Sequence, residues 1–322
     1  MNYLIFGGSG FIGTHLINLI KENNSNNIIY NLDIVENNHN GKSNFKYCDI
    51  RNKIKLDIEA TGNDIIFNLA AVHRTPGHPD YDYFDANING AENICNYASF
   101  NNISKIVFTS SIAPYGAAEN LKTEETLPTP NTPYGISKLV AEKIHQIWQS
   151  SDKNRSLVIL RPGVVFGKGE NGNFTRLYKS IDKKMFFYPG RKDTIKASIY
   201  VKDLVRFGLE RIADSPSGTC ELFNCTYEPA FSIQQIVETI SKVTNKKAPT
   251  LLVNAKLMLI TARVASLLGA HRLGIHPDRV KKLMISTNIC GTKLANSGYT
   301  FKYTLEEAIC DWYADNNNKC LE

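Results

Sequence analysis

The chain has 322 residues, 43% of them hydrophobic and 21% charged, and its formal net charge is +6. This composition is typical of a folded globular protein with one large domain or two smaller ones, and the mild charge gives no indication of nucleic-acid binding. Seven cysteines without a CxxC pair argue against a disulfide framework and a zinc site, so we assign no metal.

The first predicted element is the strand Tyr3–Phe6, and because no basic region precedes it we expect no signal peptide. A turn, Gly7-Gly8-Ser9-Gly10-Phe11-Ile12-Gly13, joins this strand to a helix through Leu16 and Ile20. In such turns one glycine permits the tight bend, the next lets the backbone approach a pyrophosphate, and the third lets the helix pack closely on the strand. The helix N-terminus adds free N–H groups and a partial positive charge. The sequence therefore predicts a dinucleotide-binding site.

An acidic residue, Asp33, ends the second predicted strand, Ile28–Leu32, about twenty residues after the glycine turn. A carboxylate at this place binds the ribose hydroxyls and repels a 2′-phosphate, which favours NAD over NADP as the cofactor. Asn31 and Asp33 can also be read as ordinary turn residues.

Further short apolar runs alternate with helical patterns, as in βαβ units on a parallel sheet. The strand candidates are Ile65–Leu69, Lys105–Thr109, Leu157–Leu160, Ala197–Val201 and Cys220–Cys225, and the helical candidates are Asn87–Tyr97, Ser137–Trp148, Ile233–Lys242 and Leu257–Leu268. The pattern predicts an α/β fold: a Rossmann-type doubly wound parallel sheet with a smaller C-terminal α/β substrate lobe. We expect the NAD-binding domain over residues 1–165, with a return to it around 196–226, and the substrate lobe mainly over 166–322.

Tyr134 and Lys138 lie four residues apart in Tyr134-Gly135-Ile136-Ser137-Lys138, on one face of a predicted helix. A free tyrosine has a pKa of roughly 10 and is a poor base, but a lysine ammonium one turn away stabilises the phenolate. Ser111 follows the strand Lys105–Thr109, at the end of the sheet where ligands bind, and can donate a hydrogen bond to a reacting oxygen. We therefore predict Ser111, Tyr134 and Lys138 as catalytic residues, although a YxxxK pair by itself is also common on helix surfaces.

These motifs, in this order and over essentially the whole chain, resemble the extended short-chain dehydrogenase/reductases. Within them the chain looks most like the NAD-dependent nucleotide-sugar epimerase/dehydratase family. The matching residues are Gly7–Gly13, Asp33, Asp49 in Cys48-Asp49-Ile50-Arg51, Ala70-Ala71, Asn87 in Asn87-Ile88-Asn89-Gly90, Thr109-Ser110-Ser111, Tyr134, Lys138 and Arg161-Pro162-Gly163.

The resemblance implies NAD as the cofactor and a role for each matching residue. Ser111, Tyr134 and Lys138 would act on a sugar hydroxyl or ketone beside the nicotinamide ring. Asp49 and Ile50 would lie at the adenine, and Asn87 would help to order the active-site helix. The predicted cofactor-binding residues are Gly7, Gly10, Phe11, Ile12, Gly13, Asp33, Asp49, Ile50, Ala70, Ala71, Asn87, Tyr134 and Lys138. A homodimer is usual in the family.

The residues after the active-site serine bear on the type of reaction. A 4,6-dehydratase of this family needs an acidic pair there, whereas Ile112 and Ala113 cannot move protons. Two enzymatic readings survive: an NAD-dependent 4-epimerase that works through a transient 4-keto intermediate, and an NAD(P)H-dependent reductase of a 4-keto sugar. A non-catalytic dinucleotide sensor is a third alternative, but such a protein has no need for an ordered Ser–Tyr–Lys set.

Substrate contacts are predicted at three positions, His73, Lys196 and Arg279. Lys196 begins a segment that resembles the family's R-x-F-x-x-V-x-D stretch, and it replaces the arginine that usually contacts phosphate. Lysine supplies charge without the planar fork that binds phosphate oxygens bidentately. Arg279 resembles the second phosphate-binding arginine of the family, and His73 follows Ala70-Ala71 near the expected sugar position.

The C-terminal third is basic, because between Lys242 and Lys293 a single acid, Asp278, stands among ten basic residues. This stretch indicates an anionic partner, or it is an ordinary solvated basic face. The chain looks most like bacterial 4-epimerases of surface polysaccharide and O-antigen assembly, which act on N-acetylhexosamines carried by UDP or undecaprenyl diphosphate. The amphipathic segment Leu257–Leu268 can lie on a membrane surface or pack on the lobe's own core, and it is too polar to span a bilayer. We expect a cytoplasmic protein with peripheral contact at the inner face of the membrane.

Overall fold

The computed structural model describes residues 1–37, 41–74, 77–116, 118–254 and 284–322. Its strands are β1 (Asn2–Phe6), β2 (Ile28–Asp33), β3 (Asn44–Tyr47), β4 (Ile65–Asn68), β5 (Lys105–Thr109), β6 (Ala118–Lys122), β7 (Ser156–Pro162), β8 (Val164–Phe166), β9 (Tyr188–Pro189), β10 (Ser198–Tyr200), β11 (Cys220–Cys225), β12 (Leu252–Val253) and β13 (Thr287–Ile289). Its helices are α1 (Phe11–Asn23), α2 (Asp80–Phe84), α3 (Gly90–Phe100), α4 (Pro133–Ser150), α5 (Asn173–Asp182), α6 (Val201–Asp214), α7 (Ile233–Val243), α8 (Thr292–Ala295) and α9 (Leu305–Asp315). The structure also has a π-helical segment, Asp85–Asn89, and a 3₁₀ turn, Ala113–Tyr115.

The chain folds into two compact units. The first comprises Met1–Gly116, Glu124–Pro162 and Val201–Cys225, and the second comprises Ala117–Thr123, Gly163–Tyr200 and Thr226–Glu322.

A seven-stranded sheet forms the centre of the first unit, in the order β3-β2-β1-β4-β5-β7-β11. Every pair of neighbouring strands is parallel. The strand order reverses between β1 and β4, which is the point at which doubly wound sheets open a crevice for ligands. The predicted Rossmann-type fold is therefore confirmed, and its ligand crevice lies beside the glycine turn that follows β1.

The alternation of side chains along the strands explains why the sheet is covered on both faces. Ile106 and Phe108 of β5 belong to a buried cluster with residues of α3 and α4. The intervening Val107 is also completely buried, next to Gly208 of α6. Successive residues of a strand point to opposite faces, so a run without polar interruption requires helices on both sides.

Short parallel strand pairs form the second unit, namely β8 with β10, β9 with β12 and β6 with β13. Aromatic side chains fill its core: the ring of Phe166 stacks on that of Phe174 at a centroid distance of 4.4 Å and also lies against Tyr200 and Trp312. None of the helices in the part of the chain that the structure describes is long and apolar enough to cross a membrane.

The predicted strands Lys105–Thr109 and Cys220–Cys225 are observed with the predicted bounds. The predicted strand Ala197–Val201 is shorter, Ser198–Tyr200, because the chain turns directly into α6 at Val201. Strand β3 was not predicted, and its half-exposed residues lack the apolar run that marks a central strand. The helix predicted at Leu257–Leu268 and the predicted contact Arg279 lie outside the described residues.

Candidate active site

The turn between β1 and α1 is packed so tightly that only glycine fits at two of its positions. Gly7 has a left-handed φ of 81°, and a Cβ there would lie 2.7 Å from the backbone nitrogen of Ala70. A Cβ on Gly13 would lie 2.6 Å from the carbonyl oxygen of Gly7. The absence of side chains leaves a cradle of bare backbone at the start of α1, which fits the diphosphate of a dinucleotide.

The first turn of α1 points its backbone N–H groups into this cradle. Gly10 is the N-cap residue of α1, and no side chain in the described part of the chain forms a capping hydrogen bond there. Phe11 and Ile12 are the first two helical residues, so their N–H groups belong to those that a helix leaves without internal partners. The N–H groups of Phe11 and Ile12 suit phosphate oxygens, whereas the N–H of Gly10 donates to the carbonyl of Gly7 at 3.2 Å. The cofactor contacts of Gly10, Phe11 and Ile12 remain predictions.

Asp33 lies directly against the glycine turn. Its two carboxylate oxygens accept hydrogen bonds from the backbone N–H groups of Ser9 and Val35, each at 3.1 Å. The side-chain amide of Asn31 donates to the hydroxyl of Ser9 at 2.9 Å, which fixes the turn from a second side. The carboxylate is therefore held at the end of β2 with a fixed orientation, which fits the predicted ribose contact and also the simpler reading of Asp33 as a turn residue.

Asp49 and Ile50 lie beyond the edge of the sheet, after β3. The carboxylate of Asp49 accepts hydrogen bonds from the backbone N–H and the guanidinium of Arg51, and these bonds lower the pKa of Asp49. Ile50 belongs to the core, and a Cβ on Gly90 of α3 would overlap its side chain. The carboxylate is engaged by a neighbour of its own loop, and the adenine contact of both residues remains a prediction.

Asn87 joins the loop after β4 to the helix that carries the predicted catalytic pair. Its side-chain oxygen accepts from the N–H of Val72 at 2.9 Å, and its amide donates to the carbonyl of Val72 and to the hydroxyl of Ser137, at 3.1 and 2.8 Å. Ser137 in turn donates to the carbonyl of Tyr134 at 2.9 Å. Asn87 lies in the π-helical segment, a deviation that is frequent at functional sites.

The structure brings Ser111, Tyr134 and Lys138 into one unit. Tyr134 and Lys138 lie in the first turns of α4, whose N-cap Thr132 accepts from the N–H of Gly135 at 3.1 Å. Ser111 follows β5 and forms a side-chain hydrogen bond with Tyr134 that lowers the pKa of the phenol, against a larger upward shift from burial. Tyr134 remains partly exposed, so a substrate can reach it.

Lys138, one helical turn after this tyrosine, is buried, with only 2% of its surface exposed. Its ammonium nitrogen lies 4.3 Å from the centre of the Phe108 ring. Burial lowers the pKa of Lys138 to about 7, and the negative charge of Glu142 acts in the opposite direction. The side chain of Lys138 thus lies in an apolar setting, one helical turn after Tyr134.

A buried polar network behind Lys138 was not predicted from the sequence. Glu142, one turn further along α4, accepts from the guanidinium of Arg161 at 2.8 and 2.6 Å and from the hydroxyl of Ser110 at 2.5 Å. Arg161 also lies over the ring of Tyr115 at 4.7 Å. The signal that could have revealed the network is the i, i+4, i+8 spacing of Tyr134, Lys138 and Glu142 on one helix face.

A neutral histidine, His145, packs in the same region, next to β4. The ring of His145 stacks on Phe108 at 4.2 Å, its Nδ1 lies 2.7 Å from the carbonyl oxygen of Ala141, and its Nε2 lies 3.2 Å from the amide of Asn68. Burial lowers the pKa of His145 to about 4, and the charge of Lys138 acts in the same direction. His145 is therefore uncharged at neutral pH and adds no positive charge beside Lys138.

The three predicted substrate contacts lie in different parts of the chain. His73 lies in the first unit in the loop after β4, where burial lowers its pKa. Lys196 lies in the second unit, where its ammonium donates to the carbonyl of Ile285 at 2.7 Å and burial lowers its pKa to about 8. Arg279 lies outside the described residues. All three substrate contacts remain predictions.

Residues 3–224 of the chain match the model of the NAD dependent epimerase/dehydratase family. The chain is 31% identical over 313 residues to the N-acetyl-alpha-D-glucosaminyl-diphospho-ditrans,octacis-undecaprenol 4-epimerase of Escherichia coli O157:H7, covering 96% of this chain and 93% of that protein. It is 27% identical over 290 residues to UDP-glucose 4-epimerase 2 of Oryza sativa subsp. japonica, covering 77% of this chain and 71% of the relative.

Among solved structures, the fold is similar to that of UDP-glucuronic acid 4-epimerase from Bacillus cereus in complex with NAD. The TM-score is 0.75, the sequence identity is 20%, and 99% of each chain is covered. UDP-N-acetylglucosamine 4-epimerase from Bacillus cereus has a TM-score of 0.74 at 20% identity and covers 98% of this chain and 96% of its own.

Proposed function

The chain belongs to the NAD-dependent epimerase/dehydratase family, and we propose that it is a 4-epimerase of a diphosphate-linked hexose or N-acetylhexosamine in surface polysaccharide biosynthesis. The family confirms the predicted enzyme class and the predicted cofactor, NAD. The observation that carries the proposal is the hydrogen-bonded Ser111–Tyr134 pair, with the buried Lys138 one turn further along the same helix as Tyr134. The relative from Escherichia coli, which aligns over nearly the whole of both chains, supports the reaction type.

NAD, when bound, supplies the acceptor and donor for the hydride that leaves C4 of the sugar and returns to it. The chain's own part is to move one proton at the C4 oxygen. Tyr134 takes this proton as the alcohol is oxidised and returns it when the ketone is reduced, because Lys138 stabilises the phenolate. Ser111 holds the phenol and can donate to the sugar oxygen. Epimerisation then requires that the 4-keto sugar turns its other face before the hydride returns.

The side chains at Ile112 and Ala113 support epimerisation over dehydration. The backbone N–H of Ile112 donates to the carbonyl of Pro162 at 3.2 Å, and Ala113 opens the 3₁₀ turn. Neither residue offers a group that can remove or return a second proton, which a 4,6-dehydratase requires. The reductase alternative has no support among the relatives described above, which carry the names of 4-epimerases.

The first experiment is incubation of the purified protein, without added cofactor, with N-acetylglucosamine linked either to UDP or to polyprenyl diphosphate. Sugar analysis should show interconversion with the N-acetylgalactosamine form and no net production of NADH. The Tyr134→Phe variant should lose activity by roughly 10²- to 10⁴-fold, the contribution of a positioned general acid–base group. Strict dependence on added NADH with a 4-keto sugar would instead identify a reductase. If wild type and variant were equally inactive, the proposal that the protein is an enzyme would be wrong.

The carrier of the sugar is the finer part of the proposal. The relative from Escherichia coli acts on a lipid-linked sugar, and Lys196 stands where the family usually has an arginine. We infer that Lys196, with Arg279 and His73, contacts a diphosphate-linked sugar. The ratio of kcat/KM for lipid-linked and UDP-linked substrates, measured in the same detergent, decides between the two carriers.

The assembly and location of the protein are also proposals. Three exposed apolar residues, Ile136, Val140 and Ile147, lie on α4, and they support a homodimer formed through this helix. Light scattering should report a dimer that Ile147→Glu converts to a monomer. We further infer a cytoplasmic location with peripheral contact at the inner face of the membrane.

A further inference from the structure

Four large apolar side chains are exposed together at one edge of the second unit. Met185, Phe187, Leu251 and Leu252, which we call the apolar edge, have exposed fractions of 70, 36, 61 and 51%. Single exposed apolar residues are normal on a protein surface, but a contiguous group rimmed by polar residues marks a surface for interaction. The site chemistry in the first unit makes no use of this edge.

Two helices end at this edge, and their C-terminal residues are tied together. Helices α5 and α7 end at Asp182 and Val243, and Lys246 forms an ion pair with Asp182 at 2.6 Å. After each helix a residue with left-handed φ turns the chain, Lys184 at 57° and Asn245 at 53°. Met185 and Phe187 follow the first turn at once, and Leu251 and Leu252 lie six and seven residues after Asn245.

Backbone pairing of β9 with β12 places the two apolar segments side by side. The N–H of Tyr188 donates to the carbonyl of Leu251 at 2.8 Å, and Leu252 lies opposite Tyr188 in the parallel register. Phe187 therefore adjoins Leu251. The ring of Tyr188 points into the core and is 1% exposed, so the strand pair is anchored from below while its neighbours face outwards.

Lysines surround the apolar edge. Lys183, Lys184 and Lys247 are exposed, and Lys246 is paired with Asp182. An exposed acid, Glu238 on α7, lies near Tyr188 of the strand pair. The chain continues from Leu252 into the basic part of the sequence, in which Asp278 is the single acid before Lys293. Lysine side chains can run along an apolar surface and carry their ammonium groups to anionic headgroups.

We propose that the apolar edge docks the protein on the surface of an anionic lipid bilayer, with its four side chains among the headgroups and its lysines at lipid phosphates. The inference rests on the proposed function in one respect: a sugar linked to a polyprenyl diphosphate stays in the membrane, so its enzyme must reach the bilayer. An enzyme for a soluble nucleotide sugar has no use for such a surface. Charge and apolar exposure together favour lipid over a protein partner. The reason is that lysine is depleted in the core of protein–protein interfaces.

The test is co-sedimentation of the full chain with vesicles of phosphatidylcholine alone or mixed with phosphatidylglycerol. We expect binding to the mixed vesicles that weakens with salt. A variant with Lys183→Gln, Lys184→Gln and Lys247→Gln should bind about 100-fold more weakly, since each lysine near an anionic surface contributes about a factor of five. A variant with serine at all four positions of the apolar edge should also lose binding, whereas Leu127→Ser, an equally exposed leucine of the first unit, should not.

Several outcomes overturn the proposal. Absence of wild-type binding, or equal binding of the variants, shows that the edge does not dock on lipid. If the serine variant aggregates, melts at a lower temperature or changes its oligomeric state, the edge packs against protein instead. Turnover of N-acetylglucosamine linked to UDP and to polyprenyl diphosphate, measured in detergent solution without vesicles, keeps the two proposals apart. Failure of the wild type to interconvert either substrate contradicts the 4-epimerase, while vesicle binding reports on the surface alone.

Discussion

Glu142 and Arg161 form a buried ion pair directly behind the predicted catalytic lysine. The guanidinium donates two hydrogen bonds to the carboxylate, at 2.8 and 2.6 Å, and the two residues are 3% exposed or less. Lys138 precedes Glu142 by one helical turn, so the carboxylate that binds Arg161 also acts electrostatically on the predicted catalytic lysine. A buried pair of this kind contributes little net stability compared with an apolar pair, so its value here is the field it sets at Lys138.

We expect Glu142→Gln to shift the pH dependence of turnover. The carboxylate opposes the fall in the pKa of Lys138 to about 7, so its removal should lower that pKa further. The phenolate of Tyr134 depends on the ammonium form, which is lost as the pH rises through this pKa. The basic limb of the rate profile should therefore move to lower pH in Glu142→Gln. Glu142→Asp, which keeps the charge, should restore the limb at least in part.

The control for this shift is a second Glu–Arg pair in the first unit. Glu221→Gln removes the carboxylate that binds Arg211 of α6, and the pH profile should not move. Because breaking a buried pair costs about 3–5 kcal/mol, the melting temperature of Glu142→Gln must be measured alongside. A Glu142→Gln protein that melts lower but keeps the wild-type profile would assign Glu142 a purely structural role.

Asn87→Ala should impair turnover more than folding. Asn87 joins Val72 in the loop after β4 to Ser137 on α4 through three hydrogen bonds, and each buried group left unpaired costs about 1–3 kcal/mol. Loss of this link should misplace Tyr134 and lower kcat by at least about 10-fold, which steady-state kinetics would detect. Asn89→Ala, which removes an exposed hydrogen bond with Asp85 in the same segment, is the matched control. Equal kcat values for the two variants would contradict the role of Asn87.

Elements that depend on local sequence pattern could be predicted from the sequence, whereas elements that depend on packing could not. Strand β5 is an uninterrupted apolar run, and its predicted bounds are the observed ones. The spacing between the glycine turn and Asp33 follows from the geometry of a βαβ unit, and the structure joins the two through the N–H of Ser9. The π-helical segment around Asn87 could not be read, because a shift in helical hydrogen bonding leaves no mark in apolar periodicity.

The buried network shows the same limit at the site. Arg161 and Glu142 are nineteen residues apart in sequence, on a strand and a helix, and pair only because α4 packs across the sheet. Lys138 on its own was readable as part of a catalytic motif, but nothing in the motif predicts that its ammonium lies over Phe108. Long-range pairs of this kind require the topology before they can be inferred.

Gly13→Ala should abolish cofactor retention. A Cβ at this position would lie 2.6 Å from backbone atoms of Gly7 and Gly8, so α1 must move away from the turn that cradles the diphosphate. We expect the variant to be purified with little NAD, measured by releasing the nucleotide with denaturant and quantifying it. Gly62→Ala, whose Cβ would meet only the carbonyl of Asn102 at 3.0 Å on the surface, should keep the wild-type content. Full NAD content in Gly13→Ala would place the cofactor elsewhere.

Lys196 gives a prediction in which substrate affinity depends on pH. Burial lowers the pKa of its ammonium to about 8, so the charge is present at pH 7 and is lost as the pH rises through 8. If Lys196 binds the diphosphate, the KM for the sugar substrate should rise above pH 8 in the wild type. In Lys196→Arg the charge persists, because a guanidinium stays protonated over this range, and the planar fork can bind two phosphate oxygens. The rise in KM should then disappear, while Lys196→Met should show a high KM at every pH. Lys192→Arg, four residues earlier, controls for added arginine and should retain the wild-type dependence. A KM that is independent of pH in the wild type, or identical in Lys196→Met, would remove Lys196 from the substrate site and leave its bond to the carbonyl of Ile285 as a structural contact.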